Sequence, residues 1–192
     1  AYVAFPDVCH VFLNPWEAFS HTDRLTHGMG MAIHVYHVLA FKLTREDTLH
    51  HVPVFLIGIV SYLIRWGRLM SCVNFFMCGL PGGIDYALLA GIKFGAVDRM
   101  TEKRWNLWLQ VAIRWPGVLF CMFSAWNAKI HGGDEISVGW IPILVVTLCH
   151  GWNGLYYAQR VVGNTYVTEY QLRQARTGDS TTAKDEEARK AA

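Results

Sequence analysis

Two adjacent histidines, His50 and His51, open one apolar run of the chain, and Asp85 opens another. An imidazole or a carboxylate beside a long apolar segment is costly to keep from water, so it requires a compensating role. Either these groups form a site in apolar surroundings or they are what remains of one. A second set of histidines lies on other apolar segments. His34 and His37 are three residues apart, hence on one side of a helix, and His150 lies further on. Neutral imidazole binds haem iron or the magnesium of a chlorophyll, so these three are candidate tetrapyrrole ligands. The alternative is histidines hydrogen-bonded between packed helices, and no CxxCH attachment motif is present. Arg65 and Arg68 close the run that His50 opens, and Arg114 interrupts a later one. Arginines at the ends of apolar segments reach toward lipid headgroups. One inside such a segment must face a partner or a water-filled space.

The five cysteines, Cys9, Cys72, Cys78, Cys121 and Cys149, form no CxxC pair and are odd in number. They read as packing residues, with neither a disulfide framework nor a zinc site. No metal site is expected.

The elements that carry these groups follow from composition. Of 192 residues, 53% are hydrophobic, 14% aromatic and only 17% charged, with a mean hydropathy of +0.21. A soluble domain has about a quarter charged residues. The shortage of charge and the abundance of Trp, Tyr and Phe point to an all-α, polytopic membrane protein. A net charge of +2 without a basic, aromatic-interleaved stripe argues against nucleic acid as a partner.

About six apolar segments are expected, at residues 29–43, 52–64, 69–80, 84–97, 105–126 and 136–157. Pro81-Gly82-Gly83 should form a turn between two of them, and Pro116 should kink another. Residues 1–28 read as an N-terminal interfacial segment, 29–168 as the transmembrane bundle, and 169–192 as a polar tail. The tail has the composition of a disordered segment. Gly28, Gly30 and Ala32, with Gly58, Gly67 and Gly91, permit close helix contact. Trp66, Trp105, Trp108, Trp140 and Trp152 are placed like interface anchors.

Alternating the six segments puts Arg65, Arg68, Arg99, Lys103, Arg104, Arg160 and the tail on one side. That side is the expected cytosol, matrix or stroma face. His50, His51 and Asp85 then lie at similar depth from the opposite face. The chain begins Ala-Tyr-Val, which fits a processed or truncated N-terminus.

The residues from His50 onward resemble the TLC-domain family, polytopic membrane proteins that include ceramide synthases. The ceramide-synthase motif opens with two histidines, has Ser-Tyr eleven residues after the first, and an arginine six residues beyond that Tyr. His50-His51, Ser61-Tyr62 and Arg68 match these spacings. The Leu-Pro-Gly-Gly-Ile-Asp-Tyr stretch ending at Tyr86 looks like an algal and viral variant of the family. The similarity runs over about residues 32–157, and its specific part is 50–86. Four positions depart. Val54 replaces the motif's Thr, Arg65 replaces its Asn, and no acid stands at 77–80, where the family has two aspartates. Asp85 either substitutes for those acids or caps the helix after the Pro-Gly-Gly turn.

The resemblance implies acyl transfer from a thioester to an amine, with His50 or His51 as general base. Asp85 would orient the imidazole, and an arginine among Arg65, Arg68 and Arg114 would contact a headgroup or the acyl carrier's phosphates. Two functions therefore compete. One is a catalytically degenerate TLC-like accessory subunit of a larger membrane complex, contacting lipid and other subunits, in an organellar inner or thylakoid membrane. The other is a lipid acyltransferase or lipid sensor of the endoplasmic reticulum using a His-His site. The second predicts a lipid-sized cavity reaching His50, His51 and Asp85. The first predicts that this space is filled.

Overall fold

The computed structural model describes residues 1–20 and 24–191, with backbone alone at 46, 50, 60 and 176–191. It is all-helical, with 86% helix and no strand among the described residues. Among the described residues eight α-helices follow one another: α1 (Phe5–Leu13), α2 (Leu25–Ala40), α3 (Arg45–Leu63), α4 (Arg68–Asn74), α5 (Leu80–Lys93), α6 (Arg99–Trp108), α7 (Trp115–Gly132) and α8 (Trp140–Ala191).

α1 begins with Pro6 in its first turn, where a missing N–H costs nothing, and with Asp7 at the positive end of the helix dipole. Its Val8 and Val11 are buried against α4. The aromatic contacts Phe5–Phe75, 6.2 Å between centroids, and Phe12–Phe120, 5.5 Å, extend its packing across the bundle. The opening segment thus contributes to the same core as Leu69, Cys72, Cys121, Ala125 and Ile143.

The expected turn at Pro81-Gly82-Gly83 is absent. A π-helical segment, Phe75–Gly79, joins α4 to α5, and Arg68–Lys93 is a single 26-residue apolar helix. The π turn supplies the reason. A proline lacks the N–H of the α-helical ladder, and its ring crowds the carbonyl four residues back. The wider π turn ends just before Pro81 and relieves both demands. Pro116 is accommodated in the same way, directly after the π segment Leu109–Arg114 that joins α6 to α7. Arg99–Glu135 consequently forms a second long apolar helix of 37 residues.

Among the described residues these are the two helices long and apolar enough to cross a membrane. Tyr2–Leu13 and Asp47–Leu63 are shorter apolar helices. Merging the expected segments 69–80 and 84–97 changes the threading. If each long helix crosses, Arg99, Lys103 and Arg104 move to the side of Lys42 and Arg45, away from Arg65 and Arg68. Contacts between α6 and α8 hold in either threading, since both put these residues on one side. Arg104 pairs with Glu169 at 2.7 Å, and Thr165 Oγ1 approaches the Lys103 carbonyl at 3.5 Å.

The polar C-terminal stretch also differs from expectation, because α8 continues through it as one helix of 52 residues. At 1.5 Å per residue it is about 78 Å long, more than twice a hydrocarbon core of about 30 Å. Trp105, Trp108, Trp140 and Trp152 are exposed as interface anchors would be, but Trp66 is a core residue, 3% exposed.

Candidate functional site

Histidines from two helices meet where α2 lies against α3. His34 and His37 lie one turn apart on α2, and His51 projects from α3, buried. His34 Nδ1 lies 3.2 Å from His51 Nδ1, so one ring donates an N–H and the other accepts. The rings of His37 and His51 are 5.8 Å apart edge-on. Tyr86 on α5 completes the group through a hydrogen bond between its hydroxyl and His37 Nε2. Phe55, one turn after His51, packs on both His34 and His51. Sequence spacing assigned these histidines to two separate roles, and the fold makes them one cluster. The side chain of His50 lies outside the described residues. Among the described residues no three His, Cys, Asp or Glu side chains converge closely enough to hold a metal ion.

Asp85 does not cap a helix. It lies in the second turn of α5, whose N-cap is Gly79, because the helix runs unbroken through Pro81. The half-buried Asp85 carboxylate instead accepts a 2.6 Å hydrogen bond from Asn106 Nδ2 on α6. The same amide group donates to Glu102 at 3.1 Å, so Asn106 bridges two carboxylates. Arg114 lies near enough to Asp85 to act on it electrostatically, while its own Nε is buried without a hydrogen-bond partner.

The other arginines have separate surroundings. Arg65 is exposed in the connection between α3 and α4. Arg68 is held at the start of α4 by Asp7 at 3.3 Å and by Ser20 Oγ at 2.5 Å. Gly67 allows that approach. Its φ is +57°, and a Cβ there would lie 2.5 Å from the backbone of Phe19.

A cavity of about 280 Å³ opens between α2, α3, α4 and α8. That is close to the lower end of the range of about 300–1,000 Å³ found for ligand pockets. Its wall includes His34 but neither His51 nor Asp85. The last tetrapyrrole candidate, His150, also lines it and donates Nδ1–H to the Val146 carbonyl at 2.8 Å. His27, which sequence reasoning passed over, lines it from α2 and bonds the Gly58 carbonyl through Nε2 at 3.0 Å. It also stacks on Tyr62, against whose ring Arg24 packs at 4.8 Å. Nothing local in the sequence marks His27 or Asn106, since their partners are 31 and 21 residues away.

Comparison of the chain with protein-family models, curated proteins and solved structures finds no match.

Proposed function

We propose that this chain is an integral membrane protein, a TLC-like bundle in which the expected segments 69–80 and 84–97 form one crossing, that acts as a catalytically degenerate accessory subunit of a larger membrane complex. The observation that carries this reading is that the open space misses His51 and Asp85, the acid–base pair that the resemblance implies. The cavity is walled by neither His51 nor Asp85, and the Asp85 carboxylate is committed to Asn106. An acyl-transfer site needs its general base within hydrogen-bond reach of a bound substrate. The outer surface supports a membrane setting. Leu39, Leu63, Phe94 and Ile141 are 81, 76, 86 and 75% exposed, in keeping with contact to lipid or to other subunits.

The C-terminus is assigned to the cytosol, matrix or stroma side. With two merged crossings, that face carries Lys42, Arg45, Lys93, Arg99, Lys103, Arg104 and Arg160, against Arg24, Arg65, Arg68 and Lys129 opposite. An organellar inner or thylakoid membrane is the favoured home, with the endoplasmic reticulum as the alternative. The test is the native size after gentle solubilisation, with mass spectrometry of co-migrating chains. Stoichiometric co-migration with a large assembly is expected, and migration as a small lipid-loaded particle would sink the subunit reading.

The His34–His51 contact favours a second reading, a lipid acyltransferase or lipid sensor in which one imidazole accepts the proton of an attacking amine. It predicts acyl transfer to a long-chain amine that His51→Ala abolishes.

A further inference from the structure

Among the described residues that line the cavity between α2, α3, α4 and α8, none is Lys, Arg, Asp or Glu, and two histidines offer hydrogen-bond acceptors. His27 uses Nε2–H on the Gly58 carbonyl, so in the neutral ring Nδ1 is an acceptor. His150 uses Nδ1–H on the Val146 carbonyl, which makes its Nε2 an acceptor too. Pro53, also in the wall, has no N–H to give the Leu49 carbonyl four residues earlier. Ser61 supplies the decisive group. It is 5% exposed, it lines the cavity, and its Oγ has no hydrogen-bond partner. A buried hydroxyl left unpaired loses its hydration without compensation, and a bound partner would recover that loss.

From this inventory we infer that the cavity holds the head of a neutral lipid carrying a free hydroxyl, which accepts from the Ser61 hydroxyl and donates its own O–H to the acceptor nitrogen of His27 or His150. The remaining wall, including Met31, Val54 and Ile57, suits an apolar tail. A hydroxyl is selected over other heads by charge. Among the described lining residues an ionised carboxylate or phosphate finds no cation, and an ammonium finds no carboxylate, so each would lose its hydration without a partner there. This inference deepens the membrane reading above and rests on it.

The experiment uses full-length protein in its native membranes, first washed with alkaline carbonate. Release by carbonate would count against the membrane reading, whereas the labelling below bears on the cavity alone and can be repeated on released protein. The probe is hexadecanol with a photoreactive diazirine and an alkyne handle. Adducts are expected on peptides covering 49–61 and 146–153. Unlabelled hexadecanol should compete about tenfold better than hexadecanoic acid, hexadecyl phosphate or hexadecylamine, a difference of about 1.4 kcal/mol. Competition by a sterol or a diacylglycerol instead would support the hydroxyl and identify the lipid class. Ser61→Phe should fill the space and remove these adducts while labelling of the outer surface persists. Should that variant fail to fold, Ser61→Ala keeps the space and should lose only the preference for alcohol over acid. Equal competition by all heads, or unchanged preference in Ser61→Ala, would overturn the inference.

Discussion

At the scale of single residues, side chains from distant positions satisfy one another, and Asn106 illustrates the cost of removing one. Its amide bridges Asp85 and Glu102. Asn106→Leu should destabilise the protein by about 1–3 kcal/mol, because half-buried carboxylates lose a donor. Thermal unfolding in detergent reads this, and adding Asp85→Asn should restore part of the loss. An equal loss in the single and double variants would show that the bridge contributes nothing. Asp98 acts at the surface. Its Oδ1 accepts from the Met100 and Thr101 amides at 2.9 Å each, capping α6. Hydrogen bonds from the Thr101 side chain and backbone hold its carboxyl below the ordinary aspartate range. A depressed folded pKa contributes stability that is present above the unfolded value of about 3.9 and is lost as pH falls through the folded value. The stability difference between the native chain and Asp98→Ala should therefore be constant near neutrality and shrink below about pH 4. A difference that stays flat into acid would count against the cap.

Elements depend on two backbone devices. The π turns before Pro81 and Pro116 keep two long helices continuous. Pro81→Ala should consequently leave stability within about 1 kcal/mol, whereas a proline at a true helix interior costs about 3 kcal/mol. A large gain in stability on this substitution would mean that the π turn does not relieve the ring. Gly67 is the opposite case. Its positive φ and the adjacent Phe19 backbone leave no room for a side chain. Gly67→Ala should cost about 1–3 kcal/mol from backbone strain alone, and more where the contact adds to it. Gly117 shows a third device, a close helix approach in which a Cβ would fall 2.1 Å from the Phe76 ring.

Across the whole molecule, the apolar outer faces and the long α8 set the expectations. Detergent extraction should be needed to recover the protein. Removal of residues 169–192 should leave the bundle folded, because the hydrophobic core lies within residues 4–143. It should, however, remove the Arg104–Glu169 pair that ties α6 to α8. A truncated chain that loses its helical circular dichroism would show that α8 stabilises the bundle well beyond its apolar part.

Composition alone determined the helical class, because a run of apolar residues this long, with charges so sparse, has one economical way to satisfy its backbone. Local patterns also placed helix at the expected apolar segments, although among the described residues two helices, not six, are long and apolar enough to cross a membrane. They misplaced the Pro81 turn because a π turn is a shift in hydrogen-bond register that residue types at that point do not announce. They also gave Trp66 to the interface although it belongs to the core. Only the tertiary structure decided which histidines meet, since His34 and His37 lie on α2 and His51 on α3, and packing fixes how these two helices are rotated. It alone gave Asp85 to Asn106 and opened the cavity beside Ser61. Each of these joins groups far apart in the chain, and nearest-neighbour chemistry carries no information about the faces that distant helices turn toward one another.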